Sequence, residues 1–62
     1  MKSIADQLKA YRKTLGLTQE ELAKQSGVSL SSIRNIEQGA ETNTATLAKL
    51  NKVLNYQFII GE

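Results

Sequence analysis

Ser31, Arg34, Asn35 and Gln38 recur at spacings of three, one and three residues. On a helix turning about 100° per residue they form one continuous polar stripe, opposite Ile33 and Ile36. Leu30 and Ser32 flank that stripe, and Ser29 stands just before it. These are residue types that read the edges of base pairs. Arginine pairs bidentately with guanine O6 and N7, asparagine with adenine N6 and N7, and a leucine can meet a thymine methyl group. Serine hydroxyls donate to phosphates or to bases with little preference. Taken alone, Arg34 and Asn35 read as a solvated helix face; their surroundings turn the balance toward DNA.

Composition removes the competing chemistries. The 62 residues include no Cys, His, Pro or Trp. A disulfide framework is therefore excluded, and a zinc site lacks both of its preferred ligand types. Ser-His-Asp and Cys-His catalysis lack their base. Asp6, Glu20, Glu21 and Glu41 read as capping and dipole residues and do not resolve into an acid–base pair. The expectation is a chain that is not an enzyme, with no cofactor, no metal and no small-molecule substrate. No run approaches the roughly 20 apolar residues of a membrane span, and the polar start does not resemble a signal peptide, so a cytoplasmic setting is expected. Eight Lys and Arg against six Asp and Glu leave a net charge of +2, compatible with an anionic partner.

The elements that position the stripe follow from hydrophobic spacing. In residues 3–15, Ile4, Leu8, Tyr11 and Leu15 recur on one helical face. Ser3 with Asp6 makes a partial capping box, and Gly16 with Leu17 a left-handed C-terminal stop. In residues 19–25, Thr18 and Glu21 form a second capping box, and only Leu22 and Ala23 are apolar. Residues 29–38 begin at Ser29, an N-cap type, and end before Gly39. Residues 44–54 carry Leu47, Leu50, Val53 and Leu54 on one face, capped by Asn43 or Thr44. The second and third segments are joined by about four residues, 26–29, with Gly27 in the turn. That spacing suits a helix-turn-helix, with Ala23 where the helices cross. The second segment starts at Thr18-Gln19, where free N–H groups and the positive end of the dipole favour a phosphate.

The run LGLTQEELAKQSGVSLSSIRNIEQG resembles the helix-turn-helix of the phage repressor and Cro superfamily (XRE-like regulators), and the likeness extends over about residues 3–54. The resemblance implies a compact all-α bundle that binds operator DNA. It implies that Gln19 grips a phosphate, that Ser29, Leu30, Ser31, Ser32, Arg34 and Asn35 read or line the groove, and that Arg12 and Glu37 form a buried salt bridge. Many members carry Gln or Arg at the start of the reading helix, where this chain has Leu30-Ser31-Ser32. A single domain is thus expected to bind weakly, so that two half-sites are needed.

The last residues differ in kind. Tyr56, Phe58 and Ile60 alternate, with Ile59 between, in a run too short for a stable helix. A strand over 56–60 has no second strand in the chain to pair with. Pairing with a second copy satisfies its backbone and creates a two-fold axis; folding back on its own core is the alternative. The expected fold is therefore a single all-α domain over residues 1–62, four helices with a short C-terminal strand. The expected function is a dimeric repressor of a palindromic operator on double-stranded DNA. A helix followed by such a strand also resembles the antitoxins of kinase-type toxin–antitoxin pairs, which implies a toxin protein as a further partner.

Overall fold

The structure, a computed structural model, describes residues 3–55. Four helices run through them: α1 Ile4–Thr14, α2 Gln19–Ser26, α3 Leu30–Glu37 and α4 Thr44–Leu54. Each begins on a side chain that accepts a backbone N–H of its own first turn. The Ser3 hydroxyl accepts from Asp6 N at 3.1 Å, and the Asn43 amide oxygen from Thr46 N at 2.8 Å. At α2 the box is reciprocal: Thr18 Oγ1 accepts from Glu21 N at 3.0 Å, while the Glu21 carboxylate accepts from Thr18 N at 2.8 Å. Such caps satisfy donors that the helix cannot, at about 1 kcal/mol each. They matter in short helices, which are marginal in water without packing.

The helix ends are also set by local chemistry. After α1, Gly16 N donates to Lys13 O and Leu17 N to Arg12 O, the paired bonds of a Schellman stop. After α2, Gly27 stands at φ +77°, and a Cβ there would meet nothing within 4 Å. Its requirement is therefore the left-handed backbone rather than space. The α2–α3 turn is three residues, 27–29, rather than the four expected, because α2 runs one residue further, through Ser26. Past α4, Asn55 adopts the same left-handed region at φ +50°. Asparagine tolerates that conformation through local hydrogen bonding.

Each helix contributes one fully buried side chain to the centre: Leu8, Leu22, Ile33 and Leu50. Val28, Ile36, Leu47 and Leu54 complete the core, with Ile4, Leu17, Ala23 and Val53 packed on its edge. The second helix packs against both α3 and α4, and α3 packs against α1. The small Ala23 side chain lies in this crowded middle element.

The face expected to be buried on α1 is corrected in its second half. Leu8 is buried and Ile4 half-buried, but Tyr11 is 38% and Leu15 50% exposed, while the polar Gln7 is buried. Hydrophobic spacing fixes a face, not what covers it. The end of α3 does reach this half of α1, where Arg12 meets Glu37, yet Tyr11 and Leu15 stay exposed. Among the described residues there is no strand. The strand expected over 56–60, with Tyr56, Phe58, Ile59 and Ile60, lies outside them. No helix among the described residues is long and apolar enough to cross a membrane.

A contrast between Leu50 in α4 and Leu15, just past the end of α1, tests this core. Leu50→Ala should cost about 2–5 kcal/mol, the range for emptying a fully buried site. Leu15→Ala should fall within about 0.5 kcal/mol of the parent. Urea unfolding followed by circular dichroism reads both; comparable losses at the two sites would contradict the burial described.

Candidate nucleic-acid interface

The orientation of α3 rests on one carboxylate. Glu37, the last residue of α3, is buried, and its side chain is 5% exposed. Arg12, on α1, reaches it side-on: Nε donates to Oε2 at 2.6 Å and Nη2 to Oε1 at 3.0 Å. Gln19, the first residue of α2, adds a third donor, Nε2 to Oε1 at 3.1 Å. The remaining reach of Arg12 goes to the turn between α1 and α2, where Nη1 donates to the Leu17 carbonyl at 2.9 Å. Side chains from three helices thus meet within hydrogen-bond distance.

Electrostatics follow from that geometry. Burial on its own pushes the Glu37 carboxyl up. Hydrogen bonds from Arg12 and Gln19, with the charges of Arg12 and Lys9, outweigh burial and hold it below the ordinary glutamate range. The hydrogen bond to Glu37 raises Arg12 above its ordinary value, against an opposing effect of burial. An ion pair so enclosed is costly to break from one side, since the remaining charge is left in a poorly solvated site.

The outward face of α3 is free of this network. Ser31, Arg34, Asn35 and Gln38 are all exposed, whereas Ile33, Ile36 and Glu37 are buried. At about 100° per residue the four exposed positions span an arc of about 100°, and the three buried ones face the other way. Leu30 and Ser32, at the borders of that arc, are half-buried.

Two serines expected at the groove are engaged in the cap. Ser29 Oγ accepts from Ser32 N at 3.2 Å and donates to Ser32 Oγ at 2.8 Å. One hydroxyl proton is spent between the two serines, and the other is left for an outside acceptor. Ser32 and Asn35 also form one wall of a hollow of about 220 Å³, closed opposite by residues 40–43 and Thr46. Glu41 lies in that opposite wall, so the rim of α3 carries an acidic group on this side.

The structure therefore brings Arg12, Gln19 and Glu37 together and sets Ser31, Arg34, Asn35 and Gln38 apart from them on an open face. The bond from Gln19 to Glu37 has no counterpart in the sequence reading. The two residues are 18 apart, and no periodicity links them. The Ser29–Ser32 pair did leave a signal, since a serine N-cap followed three residues later by a second hydroxyl is the spacing of a cap.

Acid titration reads the buried pair. A carboxyl with a depressed folded value contributes stability above its ordinary value, and loses it as pH falls through the folded one. Arg12 is the opposite case: its raised folded value keeps its contribution intact below the ordinary arginine range. The melting temperature should therefore be insensitive to this pair from pH 7 to about 5 and fall below about pH 4.3. Glu37→Gln should melt lower at pH 7 and lose less on acidification; parallel acid profiles for parent and variant would show that Glu37 is not the group responsible.

No curated protein matches the chain. A family model described as helix-turn-helix matches residues 8–59, which contains α2, its turn and α3. That family is one of DNA-binding regulatory domains, not of enzymes. With two short helices joined through Gly27 and a polar face of the second left open, the chain belongs to the Cro/C1-type, XRE-like helix-turn-helix family of DNA-binding transcription regulators.

Proposed function

We propose that the chain is a sequence-specific repressor that occupies a palindromic operator as a homodimer. The observation that carries this reading is the exposed arc of Ser31, Arg34 and Asn35 on α3 with Gln38 at its C-cap, backed by buried Ile33 and Ile36. A helix of that width fits a major groove about 12 Å wide. Arg34 then pairs with a guanine, Asn35 with an adenine, and Leu30 contacts a thymine methyl group. Ser31 and Gln38 donate to bases or phosphates along the same face. The hydroxyl proton left over between Ser29 and Ser32 is donated at the border, while Ser29 holds the helix start. Gln19, at the N-terminus of α2, takes a phosphate, helped by the unpaired N–H groups and dipole of the first turn. Arg12 and Glu37 serve the geometry, not the contact.

The whole of residues 1–62 acts as one domain in this reading, in the cytoplasm with the DNA it regulates. Tyr56, Phe58, Ile59 and Ile60 join two copies. Two-fold symmetry then places half-sites about 34 Å apart, one turn of the duplex. A second reading adds a toxin protein as partner, favoured by the largely apolar run YQFII that follows Asn55 in the sequence. Co-purification of an adjacently encoded protein supports it; a chain that purifies alone from its natural host argues for the stand-alone repressor.

Three measurements test the proposal. Selection of duplexes from a random pool at stated salt should return a palindrome. On that duplex Arg34→Ala should lose about 1–3 kcal/mol and relax preference at one base position. An equal loss on every sequence would make Arg34 a phosphate contact instead. Separately, Ile59→Lys should sediment as a monomer and bind the operator more weakly; an unchanged sedimentation coefficient would remove tail pairing from the account.

A further inference from the structure

Glu37 accepts three hydrogen bonds, and two of them arrive at the same oxygen. Oε1 takes Arg12 Nη2 at 3.0 Å and Gln19 Nε2 at 3.1 Å. Gln19 opens α2, the end proposed to face a phosphate, and Glu37 closes α3, the helix proposed to read bases. We propose that Glu37 is a positioning residue for DNA: its carboxylate fixes the Gln19 amide for a backbone phosphate while setting α3 for the bases. The inference rests on the DNA reading above and assigns within it a residue that does not touch the duplex.

The chemistry of the amide supports this. A primary amide has two N–H donors and one acceptor oxygen. The carboxylate fixes which end turns inward, because a flipped amide would set oxygen against oxygen. One Nε2 proton is therefore committed to Glu37, and the second is left to donate outward. Arg12 supplies the other requirement. A bare carboxylate beside Gln19 would repel a phosphate, but the bidentate guanidinium neutralises it. The amide that meets the anion is thus both oriented and shielded from the negative charge behind it. The simpler alternative is that Gln19 only fills a lone pair of Glu37, and that the two affect DNA independently.

A double-mutant cycle on the full-length chain separates these alternatives, with the duplex taken from the selection described above. Gln19→Ala and Glu37→Asp, which keeps the charge but withdraws it by one methylene, should each weaken binding roughly tenfold. Thermal melting must first show each variant folded at the assay temperature. The double variant should bind about as weakly as Glu37→Asp alone, since that variant has already lost the oriented Gln19 contact. Losses that multiply toward hundredfold would overturn the proposal. Should Glu37→Asp not fold, the parent protein still decides through the Gln19 side-chain amide resonances. One Nε2 proton should exchange slowly with solvent in the free protein, and its partner should become protected only when the duplex is added. Two rapidly exchanging protons in the free protein would equally overturn it. A parent chain that binds no duplex at all overturns the DNA reading itself, and this inference with it; multiplied losses in a chain that does bind overturn the inference alone.

Discussion

A buried carboxylate must be matched by donors, and in this chain that requirement decides where three helices meet. Glu37 sits at the end of α3 with almost no exposure and takes its donors from α1 and from the first residue of α2. Desolvating a carboxylate costs several kcal/mol, and only close, well-directed partners offset it. Replacing a whole buried ion pair by apolar packing is often neutral for stability, so the value of the Arg12–Glu37 pair is better sought in geometry. Apolar contacts are non-directional and tolerate small slides of one helix on another. A side-on bond from Arg12 and an amide bond from Gln19 do not. They fix the rotation and the axial position of α3 together, which is what a helix carrying a reading face requires.

The rest of the domain is arranged around how little core there is. A chain of this length buries only about 60% of its unfolded surface. One fully buried side chain per helix, with four more around them, leaves a thin margin. The helices α2 and α3 have eight residues each, below the length at which isolated helices persist. Their stability is therefore borrowed from caps and from each other. Thr18 and Glu21 close the start of α2 reciprocally, Ser29 starts α3, and Gly27 supplies the left-handed turn between them. The inward face of α3 is fully committed to Ile33, Ile36 and Glu37. Its outward face carries no structural duty, which is why polar residues there cost the fold nothing.

Much of this was legible because it is local. The caps at Ser3, Thr18, Ser29 and Asn43 depend on residues three apart, and the polar arc of α3 follows from a constant angle per residue. The family likeness added the pairing of Arg12 with Glu37, 25 residues apart, which no periodicity carries. The failures are equally physical. Tyr11 and Leu15 share a face with Leu8 but stay exposed, because what covers a face is decided by the packing of other segments and not by spacing along α1. Gln7 is buried without any apolar signal. Asn55 takes a left-handed conformation more often held by glycine, so it gave no stop to read. The Gln19–Glu37 bond exists only once α2 and α3 are packed. Residues 56–60, on which the strand and its pairing were read, lie outside the described residues.

The charge distribution bears on how such a domain could act. Affinity for duplex DNA that is independent of sequence comes from cations released against phosphates, and it grows with their number. Here α3 has one cation, Arg34, the chain has a net charge of only +2, and the rim beside Asn35 carries Glu41. On the proposed reading, a single copy therefore gains little from the backbone and must depend on directed bonds, one phosphate held by Gln19 and a few base edges met by α3. Directed bonds are lost when the angle of approach is wrong, which raises the demand on the network that sets that angle. Two linked copies then multiply a weak but selective contact, because the second half-site is met at high effective concentration. A sparse positive charge and a rigid carboxylate hub are in this sense one design: with little attraction to any DNA, discrimination between sequences depends on how accurately α3 is held.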